Sequence, residues 1–78
     1  MLPTEDVLWS LNAKRSIAQC VLVTHGEGAE LLVRQDREVV VRELFADAGL
    51  ARARGVMLGD QLSSKGWRNA RLPFTKTA

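Results

Sequence analysis

Apolar residues along this chain keep two different spacings. Near the N-terminus Val7, Leu8 and Leu11 fall at i, i+1 and i+4, behind a Thr4 that suits a helix N-cap. Glu5 and Asp6 stand where a helix dipole favours acids, and Lys14 and Arg15 suit the other end. This predicts a short helix over about residues 5–14. Ile17 to Thr24 is apolar and β-branched enough for a strand. His25-Gly26-Glu27-Gly28 then reads as a turn, Ala29 to Arg34 as a returning strand, and Gln35-Asp36-Arg37 as a second polar break.

Glu38 to Ala48 satisfies both periods. Val39-Val40-Val41 favours a strand, yet Val40, Val41, Leu44, Phe45 and Ala48 share one helical face. The helical composition of Glu43–Ala48 and a natural stop at Gly49 favour a helix, with a strand-like start as the alternative. Ala51 to Lys65 reads as a further helix whose inner face is Ala51, Gly55, Leu58 and Leu62, with Gly66 just past its end. Trp67 to Phe74 alternates as an edge strand or arm, since Pro73 bars it from a sheet interior. Residues 1–3 and 75–78 are expected as loose ends of one small domain.

Charge sharpens this division. The 78 residues carry a net +2, but residues 1–48 hold five Lys/Arg against eight acids and residues 49–78 hold six against Asp60 alone. A basic C-terminal half points to an anionic partner or to a solvated face. The single cysteine, Cys20, excludes an internal disulfide and reads as a small buried apolar group, which fits a cytoplasmic setting. The first residues are acidic and lack the basic and apolar regions of a secretory leader, and apolar runs are too short for a membrane span.

Two helices joined across Ala48–Ala51 resemble a helix-turn-helix. With Gly49 as the turn glycine the motif begins at Val41, and its buried positions fall on Leu44, Ala48, Leu50, Gly55 and Leu58. Gly55 stands where a branched aliphatic is usual, and Phe45 where alanine or glycine is usual. Further on, Leu58-Gly59, Leu62, Gly66-Trp67 and Arg71 resemble the winged-helix segments of phage and mobile-element replication proteins, where a helix ends in glycine-tryptophan and runs into a basic strand. These resemblances imply an α+β, winged-helix-like fold: helix, β-hairpin, helix-turn-helix, C-terminal edge strand. They also imply a small regulatory protein that binds double-stranded DNA. On that reading Arg54 and Gln61 read base edges, while Arg52, Lys65, Arg68 and Arg71 hold phosphates.

Other chemistry is poorly provided for. His25 with Glu27 and Glu30 is a thin metal-ligand set without Cys pairs or a second His. Cys20 and His25, five apart on one strand, point to opposite faces and cannot act as a nucleophile pair. Gly26-Glu27-Gly28 lacks the later glycine and the Lys-Ser/Thr of a phosphate loop. No enzyme activity and no cofactor are expected. The rival to DNA binding is a protein-interaction module: a homodimer, or an adaptor docking its basic half on an acidic protein. An extended Val39–Val41 paired in a meander would favour that rival, and a helix over 38–48 the helix-turn-helix.

Overall fold

A computed structural model describes residues 4–26 and 28–69. Strands β1 (Thr4–Ala13), β2 (Ser16–His25), β3 (Gly28–Gln35) and β4 (Glu38–Phe45) run antiparallel in succession. Helix α1 (Ala48–Ser64) follows, then a two-residue strand β5 (Arg68–Asn69). The sheet order is β4-β3-β2-β1-β5, a meander whose last strand returns to pair with the first.

Each strand is set by local chemistry. Cys20-Val21-Leu22-Val23 and Leu31-Leu32-Val33 are apolar, and the β-branched Val21, Val23 and Val33 among them fit a pleated surface. Between β1 and β2 the reversal needs only Lys14 and Arg15, with Lys14 at φ 54°. Between β3 and β4 it needs only Asp36 and Arg37, at φ 51° and 78°. Left-handed backbone at both turn residues is the geometry whose twist matches a two-residue hairpin. Asp36 also binds β2 from outside the ladder: its carboxylate accepts the Ile17 N–H at 3.0 Å, and its own N–H donates to the Ile17 carbonyl at 3.0 Å.

Both ends of α1 are capped. Asp47 is extended and its Oδ1 accepts the Leu50 N–H at 3.1 Å, satisfying a donor the helix leaves free. At the other end Gly66 takes φ 102°. This lets the Trp67 N–H reach the Leu62 carbonyl and the Gly66 N–H reach that of Ser63, each at 3.1 Å.

A seam of small residues seats α1 on the sheet. Ala51, Gly55 and Gly59 are buried at i, i+4 and i+8. A side chain at Gly55 would meet Leu8 Cδ1 at 2.6 Å and Cys20 Sγ and Leu31 Cδ1 at 3.3 Å, so glycine lets the helix sit this close without displacing Leu8. Trp9 lies over Gly59, and its indole N–H donates to the Gly55 carbonyl at 2.7 Å. The core fills the space beneath: Leu22 with Ala29 and Ala51, and Cys20 with Leu31 and Val33, edged by Leu8, Phe45 and Leu58. Leu22 and Leu31 are fully buried. Each contributes about 1.5–3 kcal/mol relative to exposure.

This corrects the winged-helix-like expectation. Residues 5–14 form a strand, not a helix, and Glu38–Phe45 is a strand paired with β3 along its length. The first helix of a helix-turn-helix is therefore absent, and Gly49 sits in the first turn of α1 instead of between two helices. Both misreadings share a cause. The β1–β2 register slips between Val7 and Trp9, and the β3–β4 register slips between Val33 and Arg34. Each slip adds a residue to one strand, Leu8 in β1 and Val40 in β4. It turns the alternation of a strand into the i, i+1, i+4 spacing of a helix. The hairpin from β2 to β3 and the helix after Ala48 do form. Of the predicted edge strand, Arg68 and Asn69 pair with β1 at Asn12 and Leu11, and residues 70–74 lie outside the described ones.

Candidate functional site

Of the six residues expected to meet DNA, the four on α1 or at its end lie on two flanks of the helix. With Gly55 innermost and 3.6 residues per turn, Arg52 falls on one flank of α1, and Arg54, Gln61 and Lys65 fall on the other. Their neighbours agree. Val56 and Ser63, on the flank of Arg52, border a hollow with Leu11 of β1. Gln61 and Lys65 border a hollow with Val40 and Val41 of β4. Arg54 is already engaged, its Nε 3.1 Å from Glu43 Oε1 and its Nη2 3.4 Å from Glu43 Oε2. Arg52, Gln61, Lys65 and Arg68 are exposed. Arg71 lies outside the described residues.

A different surface stands out, on the side of the sheet away from α1. Strand alternation sends Ala18, Cys20, Leu22, Ala29, Leu31 and Val33 to the helix. Their neighbours in sequence must point the other way. Register places Val7 beside Val21, and Val21 beside Leu32, across three strands. Val23 and Leu44 flank this row through their pairing with Glu30, and Ile17 lies toward the opposite end. Val7 is 55% exposed and Leu44 75%. Val21, with Val7 and Leu32 beside it, is itself buried. Polar groups frame the row: Arg42 pairs with Glu30, and Gln19 donates to Ser10 Oγ at 3.3 Å. Among the described residues nothing is layered on this face.

The exposed edge of β4 is a poorer docking place. The register slip at Val40 disturbs its ladder, and Glu38, Arg42 and Glu43 bring charge to it. Bulges and charges are the usual guards against edge pairing. A continued sheet is therefore disfavoured relative to packing on the open face.

Sequence reading overlooked this face, although a signal for it exists. Cys20-Val21-Leu22-Val23 and Leu31-Leu32-Val33 do not alternate with polar residues. A strand apolar on both sides expects cover on both sides. Cys20 itself faces α1 and is fully buried, and burial pushes its thiol up to about 11. A thiol held neutral and out of solvent is not available as a nucleophile. Among the described residues no three His, Cys, Asp or Glu side chains gather as metal ligands, and no helix is long and apolar enough to cross a membrane. Comparison with known protein families, with curated proteins and with solved structures finds no match to this chain.

Proposed function

We propose that this protein is a non-enzymatic interaction module that assembles with a second copy of itself through the open face of the sheet. The observation that carries the reading is a single-layered sheet whose outer face presents Val7, Leu32, Val23 and Leu44 around Val21. An antiparallel sheet can leave one face to water when that face is polar, but this one carries Val7, Val21, Val23, Leu32 and Leu44, an apolar cluster of the kind that marks an interface. Four strands about 4.8 Å apart and about eight residues long span roughly 500 Å². Two copies face to face bury about 1,000 Å², the lower bound for a specific interface.

Sedimentation velocity across protein concentrations tests this directly. The expected result is a species of about twice the 8.6 kDa chain mass, reverting to monomer in Leu44→Lys and Val7→Lys. Both sites are exposed enough that each change should cost the monomer no more than about 0.5 kcal/mol. A wild-type chain that stays monomeric at several hundred micromolar refutes the proposal.

Duplex DNA is the second reading, favoured by Gln61 and Lys65 lying exposed on one flank of α1. It is lost if mobility-shift titration at low salt shows no binding at roughly tens of micromolar, a range that non-specific binders reach.

A further inference from the structure

We propose that the hollow between α1 and the β4 side of the sheet binds a small aromatic carboxylate. Its walls are apolar: Trp9 and Trp67, Val33 and Val41, Leu58 and Leu62. Its volume is about 140 Å³, close to the roughly 150 Å³ of a dry cavity that accepts benzene. A volume of this size accommodates one six-membered ring. The indole of Trp9 is a fixed wall because its N–H is held by the Gly55 carbonyl at 2.7 Å. Among the described residues three polar side chains border the hollow, Gln35, Gln61 and Lys65, and of these Lys65 is charged. An apolar chamber with one ammonium at its border is complementary to an apolar body ending in an anion.

The end of a helix usually repels an anion, since its last carbonyls carry partial negative charge. Here those carbonyls are occupied. Leu62 O accepts from Lys65 N at 2.9 Å and from Trp67 N at 3.1 Å, Ser63 O from Gly66 N at 3.1 Å, and Gln61 O from Ser64 Oγ at 2.9 Å. Lys65 and the two glutamine amides are the groups left to meet the ligand. The hollow lies on the helix side of the sheet, so this site does not depend on the proposed dimer.

Trp9 and Trp67 are the only tryptophans in the chain, so two indole N–H signals report on the walls. Titration of the full chain with phenylacetate, followed by heteronuclear NMR, should move both signals saturably with a dissociation constant on the order of 1 mM. Phenylethanol, the neutral analogue, should bind about three- to tenfold more weakly. Lys65→Gln should remove that preference and leave phenylethanol binding unchanged. Val40→Trp fills the hollow from a half-exposed position at its border, and should abolish both while the far-ultraviolet circular dichroism spectrum is retained. Leu44→Lys should leave binding intact. Absence of saturable shifts at tens of millimolar overturns the proposal. So does equal affinity for acid and alcohol, or binding that survives Val40→Trp in a folded protein.

Discussion

Gly59→Ala sets two known effects against each other. In an ordinary helix the change stabilises, since alanine is favoured over glycine by about 1 kcal/mol. Here the new Cβ would lie 2.8 Å from Trp9 Nε1, 2.9 Å from Cδ1 and 3.2 Å from Cε2. These atoms belong to one rigid ring, and the ring is anchored by its 2.7 Å hydrogen bond to the Gly55 carbonyl. The indole cannot turn aside without losing that bond, worth about 1 kcal/mol net. If it stays, α1 must lift from the sheet, and overpacking of this kind costs about 1–3 kcal/mol. Subtracting the propensity gain of about 1 kcal/mol leaves a net loss of up to about 2 kcal/mol. In a domain of this size each kilocalorie lowers Tm by about 4–8 °C, so thermal unfolding followed by circular dichroism should show a clear fall. The double-mutant cycle isolates the cause. In a Trp9→Leu background the ring is gone, and Gly59→Ala should become neutral or stabilising. A Tm that rises in the wild-type background, or an equal fall in both backgrounds, refutes the argument.

Two further outcomes are expected. Arg37→Gly should raise stability by about 0.5–1 kcal/mol in urea denaturation, because Arg37 sits at φ 78° in a two-residue turn where glycine is unstrained; no gain would mean the left-handed strain is already offset. Cys20, whose thiol is pushed from 9.0 up to about 11 by burial, remains neutral in the folded chain at pH values where the unfolded chain has lost its proton. Its contribution is present below pH 9 and declines as the pH rises from 9 toward 11, so the wild type should lose stability over that window and Cys20→Ala should lose less.

How much of this fold was legible follows from where the strands are regular. The β2–β3 hairpin has an unbroken register from Ala18↔Gln35 to His25↔Gly28, and its glycine turn and β-branched runs announce it. The helix after Ala48 announces itself by Ala51, Gly55 and Leu58 and by its Gly66 stop. β1 and β4 were masked by their register slips, since one additional residue shifts the face of everything after it. Once β4 is a strand, α1 has no partner helix among the described residues, and the helix-turn-helix is not formed. The candidate site was illegible for another reason. Val7 and Leu44 gain meaning only beside Val21 and Leu32, and that adjacency is a property of register between strands. The basic half was visible as composition. Its division into two flanks depended on which residues α1 turns inward.

The order β4-β3-β2-β1-β5 has a consequence for how the chain reaches this state. Neighbouring strands from β1 to β4 are joined by turns of two residues, so each pairing closes a short loop at small entropic cost. The four-stranded meander can grow as a succession of local events. Only β5 must find a partner far away, Arg68 and Asn69 returning to Asn12 and Leu11 after every other element has been laid down. Among the described residues two pairs make that closure. It should be the last pairing to form and the first to open, and amide hydrogens there should exchange well before those of β2 and β3.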